Sequence, residues 1–226
     1  MSICYLNGKF LDLKEAKISP LDRGFLFGDA IYEVIASYNN KPFKIEDHLD
    51  RLFINLKDIK ISVNYSRQEV KNILESVIKK NDLSNQIIYL QISRGHEDIR
   101  DHIPGPSPSP TIFVCSFPLK NIPNTKTTTI KASLKKDFRW RKSNIKSTSL
   151  LANVMYKIQA SEENFFEIIL QENGYITEGA VSNVFCVKNN EVKTPSLENN
   201  ILPGITISVI IDIVNKIGIK ITESKI

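Results

Sequence analysis

Three short stretches of this sequence put reactive side chains in unusual company. In NIKSTSLLANVMYK, residues 144–157, Lys146 stands among small polar residues just before an apolar helical pattern. Burial against such a helix disfavours the ammonium and lowers a lysine's pKa toward neutrality. A neutral amine can attack a carbonyl and form a Schiff base. In YITEGAVSNVF, Glu178 ends a strand-like run and is followed by glycine and small residues that allow close approach. In LPGIT, residues 202–206, a turn leads into a helix, and the first amides of a helix bind phosphate well. Each stretch also has an ordinary reading: a solvated loop lysine, a turn-edge carboxylate, one helix start among several.

Other chemistries find no support. There is no GxSxG elbow, HExxH, P-loop or GxGxxG, and the only histidines are His48, His96 and His102. This argues against a metal centre or a dinucleotide fold. Cys4, Cys115 and Cys186 are far apart and lack metal-type spacing, so they read as reduced thiols. The net charge of +5 permits nucleic-acid binding, but the lysines are scattered, and no nucleic-acid partner is expected. With 42% hydrophobic and 24% charged residues over 226 positions, the chain reads as an ordinary globular protein of one large or two small domains. No apolar run has the length of a membrane span, and MSICYLNGKF lacks the pattern of a signal peptide, so a cytoplasmic protein with no membrane partner is expected.

The elements that must position these residues are mixed α and β. Asn7-Gly8 lies between two alternating runs, the strongest short hairpin signal, and Asn39-Asn40 repeats the theme. Helical spacing appears at Leu49, Leu52, Phe53 and Leu56, and again at Val70, Ile73, Leu74, Val77 and Ile78, the second run opened by a Ser66/Glu69 capping box. QIIYLQIS reads as a strand, RGHEDIRDHIPGPSPSP (94–110) as a long proline-rich loop, TIFVCSF as the strand beyond it, and PLKNIPN (118–124) as a linker. The second half reads as a strand in TTTIKASL (127–134), the helix after Lys146, a strand pair around Gly174, a hairpin in NVFCVKNNEVKTP, and a helix from LPGIT to Gly218. Hairpins argue against an all-parallel sheet.

Together these stretches resemble the class IV pyridoxal-phosphate aminotransferases, the family of branched-chain and D-amino-acid aminotransferases and aminodeoxychorismate lyase. The similarity runs in order through YLNGKFLDLKEAKISPLDRGFLFGDAIYEV, HLDRL, NIKSTSLLANVMYK, YITEGAVSNVF and ILPGIT, nearly the whole chain. It implies pyridoxal 5′-phosphate as cofactor. By the family's pattern Lys146 carries the cofactor as a Schiff base, Glu178 pairs with the pyridine nitrogen, and Arg51 of HLDRL holds the phosphate. The backbone amides of Ile205 and Thr206 complete the phosphate cup, and Leu202 lies against the ring. A carboxylate beside the pyridine nitrogen favours its protonated form, and a guanidinium offers a rigid fork of donors for phosphate oxygens. The implied fold is a two-domain, mixed α/β arrangement of fold type IV, with a small N-terminal α/β domain over 1–118 and a cofactor-binding domain over 119–226.

Within IRDHIP, Arg100 and His102 resemble the Arg-x-His pair with which D-amino-acid aminotransferases hold the substrate α-carboxylate, and Tyr32 of AIYEV matches the tyrosine that helps them. In the family this loop reaches across a dimer interface, so the resemblance implies a homodimer. The implied reaction is a ping-pong transamination between D-amino acids such as D-alanine and 2-oxo acids such as 2-oxoglutarate or pyruvate. The alternatives are a branched-chain L-amino-acid aminotransferase, a 4-amino-4-deoxychorismate lyase, and a non-catalytic family member. The chain departs from the pattern at Ala180 and Val181, where D-specific relatives carry serines, and at Ile207, where an arginine is usual. The family's sequences also continue past IGIKITESKI into strands that bear a Thr-rich phosphate-binding turn, so a C-terminally shortened second domain is expected.

Overall fold

The computed structural model describes residues 2–81, 83–106, 108–120, 129–197 and 201–226. The chain divides into two compact units, Met1–Asn124 with Lys146–Ser149, and Thr125–Ile145 with Leu150–Ile226. The division falls after Asn124 rather than after residue 118, and Lys146–Ser149 join the first unit because their backbone pairs with one of its strands. Residues 121–124 of the expected linker lie outside the described residues.

The first unit is built from β1 (Ile3–Leu6), β2 (Lys9–Asp12), α1 (Arg23–Phe27), β3 (Ala30–Tyr38), β4 (Lys41–Pro42), α2 (Ile45–Asp58), α3 (Arg67–Asn81), β5 (Asn85–His96) and β6 (Ser109–Pro118). Its six strands form one antiparallel sheet in the order β2-β1-β6-β5-β3-β4. Period-2 alternation puts Ile31, Ile35, Ile88, Leu90, Ile92, Ile112 and Val114 on one face, all fully or almost fully buried. Leu49, Leu52 and Leu56 of α2, at helical spacing, and Val70, Leu74 and Val77 of α3 complete that core. The predicted capping box opens α3: Ser66 N donates to Glu69 Oε2 at 2.7 Å, and Glu69 N donates to Ser66 Oγ at 3.2 Å.

The proline-rich segment is shorter as a loop than expected, because β5 continues to His96 and β6 starts at Ser109. A bulge between Ser93 and His96 lets the pairing continue, and Gly95 makes it possible. Gly95 has φ +95°, and a Cβ there would lie 1.8 Å from the carbonyl oxygen of Ser109.

The second unit contains β7 (Ala132–Lys136), α4 (Leu151–Glu162), β8 (Glu167–Glu172), β9 (Tyr175–Gly179), β10 (Cys186–Lys188), β11 (Glu191–Thr194), α5 (Ile205–Lys216) and β12 (Lys220–Glu223). Two three-stranded sheets result, β7-β8-β9 and β10-β11-β12. In each, a parallel pair is bridged by a helix: α4 connects β7 to β8, and α5 connects β11 to β12. The strand predicted over 127–134 begins only at Ala132, and its first two residues lie outside the described residues. Tyr156, Ala160, Ile168, Leu170 and Ala180 form a core cluster. The expectation that α4 is a buried helix is corrected: only Tyr156 and Ala160 are buried, while Leu151, Val154, Met155 and Ile158 are exposed in the single chain. The apolar pattern is wider than the stripe that packs on β8.

Four hairpins among the described residues turn through two-residue loops led by asparagine: Asn7-Gly8, Asn39-Asn40, Asn173-Gly174 and Asn189-Asn190. Every one of these eight residues has positive φ, between 45° and 93°, which matches the right-handed twist of the flanking strands. Gly218, with φ +74°, ends α5 where the sequence places its stop. Among the described residues no helix is long and apolar enough to cross a membrane.

Candidate active site

The first unit gathers one set of polar groups around β3 and α2. Lys146, half-buried, is held by its backbone. Its N–H donates to Asn55 Oδ1 at 2.8 Å, and its carbonyl accepts from Tyr32 N at 3.0 Å. Ser147 forms an antiparallel bridge with Ile31, and Thr148 N donates to Ala30 O at 3.1 Å. The lysine therefore sits on a short extra strand at the edge of β3. Its Nζ lies 4.4 Å from the ring centroid of Tyr32, which in turn stacks on Tyr89 at 5.8 Å. Burial, with Tyr32 nearby, pushes the Tyr89 hydroxyl up to about 12, so that phenol stays neutral.

On the opposite face of β3, Glu33 is buried in the core face and meets Arg51 and His48 of α2. Arg51 donates from Nε to Glu33 Oε1 at 2.8 Å and from Nη2 to Oε2 at 2.7 Å, a bidentate pair. His48 Nδ1 lies 2.7 Å from the same Oε2. Burial alone would raise the Glu33 carboxyl, but hydrogen bonds from Arg51 and His48 outweigh it and hold the group below its ordinary value. His48, Arg51 and Asn55 recur at helical spacing, so one polar stripe of α2 serves both Glu33 and the Lys146 backbone.

The segment that follows β5 carries Arg100 and His102. The structure brings both onto Phe27 of α1: the Arg100 guanidinium lies 4.7 Å from the ring centroid and the His102 ring 5.3 Å from it. Tyr32 is brought instead to Lys146.

The second unit gathers the other set. Glu178, 4% exposed, ends β9. Arg139 Nη1 donates to its Oε1, while Asn183 Nδ2 and the Leu202 amide donate to its Oε2 at 3.1 and 3.2 Å. Arg139 is itself locked by Asp137, with bonds of 3.0 Å from Nε and 2.7 Å from Nη2. Burial raises the Glu178 carboxyl above its ordinary range, and the nearby Arg139 offsets this only in part. Asn183 Nδ2 also donates to Leu202 O at 3.2 Å, tying the turn before α5 to the carboxylate. Gly204 leaves room for the Asn183 side chain in that position, since a Cβ would lie 2.2 Å from its Oδ1. Among the described residues no side chain caps α5, so Ile205 and Thr206 begin the helix with amides available to an anion.

Comparison with known proteins gives this donor set its context. The family described as Amino-transferase class IV matches residues 30–226. The chain belongs to the class IV aminotransferases. It is 33% identical over 222 residues to a D-alanine aminotransferase of Listeria monocytogenes serotype 1/2a (strain 10403S), covering 97% of this chain and 76% of that protein. A D-alanine aminotransferase of Staphylococcus haemolyticus is 36% identical over 214 residues, covering 93% and 74%. The chain thus spans about three quarters of the length of these relatives. The same fold occurs in a branched-chain aminotransferase from Thermoproteus uzoniensis crystallised with norvaline (TM-score 0.88, 24% identity, 100% of this chain and 79% of that one). It also occurs in a branched-chain amino acid aminotransferase of T.th. crystallised with pyridoxamine 5′-phosphate (TM-score 0.90, 19% identity, 99% and 76%).

This is therefore a pyridoxal-phosphate-dependent aminotransferase, acting on amino acids and 2-oxo acids. The residues present fit that cofactor. In the second unit the buried Glu178 carboxyl suits a ring N–H and the uncapped start of α5 suits a phosphate; in the first unit the Arg51 guanidinium suits a phosphate and the Lys146 amine suits an aldehyde. Sequence reasoning missed Glu33, His48, Asn55, Arg139 and Asn183. The first three had a signal: a glutamate between Ile31 and Ile35 on a buried strand face, and a polar stripe among the leucines of α2. Arg139 and Asn183 had none, being a loop arginine and one asparagine of many.

Proposed function

We propose that this class IV enzyme is a D-amino-acid aminotransferase, moving an amino group between substrates such as D-alanine and 2-oxo acids such as 2-oxoglutarate or pyruvate. The observation that carries the reading is the Arg100 and His102 pair gathered on Phe27, a guanidinium and an imidazole with the chemistry of an α-carboxylate clamp. The D-alanine aminotransferases among its relatives agree with it.

Bound pyridoxal phosphate supplies an aldehyde that condenses with amines and a pyridinium ring that takes up the electron pair left when Cα loses its proton. Lys146 Nζ would hold the cofactor through its aldehyde and, as a free amine, would move a proton at the substrate Cα. Glu178 would hold a proton on the ring nitrogen, Arg51 and the Ile205 and Thr206 amides would bind the phosphate, and Leu202 would line the ring. Tyr32, Arg100 and His102 hold the substrate carboxylate, with the loop of one protomer serving the partner in a cytoplasmic homodimer. Lys146 on the edge of β3, beside Tyr32, supports a shared role for those two side chains.

The test is an absorbance titration of the cofactor-loaded protein with D-alanine and L-alanine, alongside separate incubations with L-leucine and aminodeoxychorismate. D-alanine alone should convert the bound cofactor and yield pyruvate. Turnover of L-leucine, or pyruvate release from aminodeoxychorismate, without reaction of D-alanine would replace this reading with one of those activities.

A further inference from the structure

The guanidinium of Arg23 belongs to neither set of polar groups above, yet it is buried and each of its three nitrogens makes a hydrogen bond. Its backbone is fixed first. Asp22, 2% exposed, accepts from Gly24 N at 2.8 Å, from Ser93 Oγ at 2.9 Å and from Thr111 Oγ1 at 2.7 Å, so the start of α1 is pinned to β5 and β6. From that fixed point the side chain reaches the loop. Arg23 Nη1 donates to the Asp101 carbonyl at 2.6 Å and to Glu97 Oε2 at 2.9 Å, and Nη2 donates to the His102 carbonyl at 2.9 Å.

The remaining donor, Nε, binds Asp29 Oδ2 at 3.0 Å. Arg94 holds the same carboxylate, with Nε 2.7 Å from Oδ2, and donates from Nη1 and Nη2 to the carbonyls of Lys60 and Ile59, both at 2.7 Å. The loop is thus wired through two arginines and one aspartate to the end of α2. Phe27, one turn along α1 from Arg23, lies 4.8 Å beneath the Arg23 guanidinium and carries Arg100 and His102 as well. Arg23 therefore holds two successive carbonyls of the loop, those of Asp101 and His102, and packs on the ring that carries Arg100 and His102.

We propose that Arg23 is a positioning residue, a buried latch that sets the 97–103 backbone so that Arg100 and His102 are presented together to a substrate carboxylate. The proposal rests on the reading of Arg100 and His102 given above. Arg23 touches neither substrate nor cofactor. Its two bonds to carbonyls need the planar fork of arginine; a lysine keeps the charge but cannot span Asp29, Glu97 and both carbonyls at once.

The experiment uses the cofactor-loaded full chain with Arg23→Lys, and with Glu97→Gln as a milder cut of the same latch should Arg23→Lys fold poorly. Two quantities are read: hydrogen exchange of the 97–106 amides relative to those of β3, and the kinetic constants for D-alanine. Losing charge-assisted bonds to the loop should speed exchange there by about tenfold with β3 unchanged, and raise KM for D-alanine by about tenfold with kcat within about threefold. Unchanged exchange in 97–106 overturns the latch. Arg100→Ala, measured in parallel, separates the two claims. If it raises KM while the latch variants loosen the loop without raising KM, the positioning role is overturned. If Arg100→Ala itself leaves KM unchanged, the carboxylate reading fails instead and the proposal falls with it.

Discussion

Asn55 Oδ1 accepts the backbone amide of Lys146 at 2.8 Å, so the helix that carries Arg51 also fixes the chain at the lysine assigned to the cofactor. Asn55 is 3% exposed. Asn55→Ala should cost about 1 kcal/mol in urea unfolding, because the half-buried Lys146 amide loses its acceptor. It should also slow borohydride trapping of cofactor on Lys146, measured by mass after proteolysis. A variant as stable and as readily trapped as the parent would show that the β3 pairing holds the lysine alone.

Glu33 accepts from Arg51 and meets His48 Nδ1, and removing its charge takes this counter-ion from the buried Arg51 guanidinium. Glu33→Gln should destabilise by about 3–5 kcal/mol at pH 7. The sign with pH follows from the depressed native value. The carboxylate's contribution is complete above the ordinary 4.5 and is lost as pH falls through the lower folded value. Denaturant midpoints of parent and variant should therefore converge below pH 4.5 and separate above it.

Glu178 has the opposite signature. Its native value is raised, so the folded chain holds a proton there more tightly than the unfolded chain, and stability falls as pH rises from 4.5 through the folded value. Glu178→Gln should leave the cofactor-free protein at least as stable as the parent at pH 7. The same change should lower kcat by about a hundredfold, since a neutral amide no longer keeps the ring nitrogen protonated. Loss of stability together with retained activity would refute both halves.

Gly204→Ala would drive a methyl to 2.2 Å from Asn183 Oδ1. Either the Asn183 side chain gives up its bonds to Glu178 and Leu202 or the turn before α5 moves. The expected cost is about 1–3 kcal/mol of stability, with phosphate affinity weakened beyond that of Gly218→Ala at the far end of the helix. Inorganic phosphate protection against thermal unfolding reads the difference.

Local chemistry was legible in the sequence. Asn7-Gly8 and Asn39-Asn40 announce their turns because positive φ is a property of the residues themselves, and Ser66 with Glu69 announces a helix start for the same kind of reason. The assigned residues are legible only through resemblance, since one lysine or one arginine carries no signature of its own. What stayed hidden were the partners: Asn55 for Lys146 and Arg23 for the 101–102 carbonyls are 91 and 78–79 positions away along the chain. The helix after Lys146 looks like its support because it is adjacent in sequence, whereas the actual support is the edge of β3.

The asparagine-led turns bear on the order of events during folding. Each hairpin closes over two residues and forms on a timescale of about 1–10 μs. The bond from Asn55 to Lys146 instead closes a separation of 91 residues, and that loop entropy must be met before the contact returns any stability. The first unit can therefore build its hairpins while the chain is still short, but its lysine arrives only after the intervening residues of the second unit have been synthesised. Pulse-labelled exchange should find the β3 amides paired with β5 protected before the Tyr32 and Lys146 pairing at the other edge.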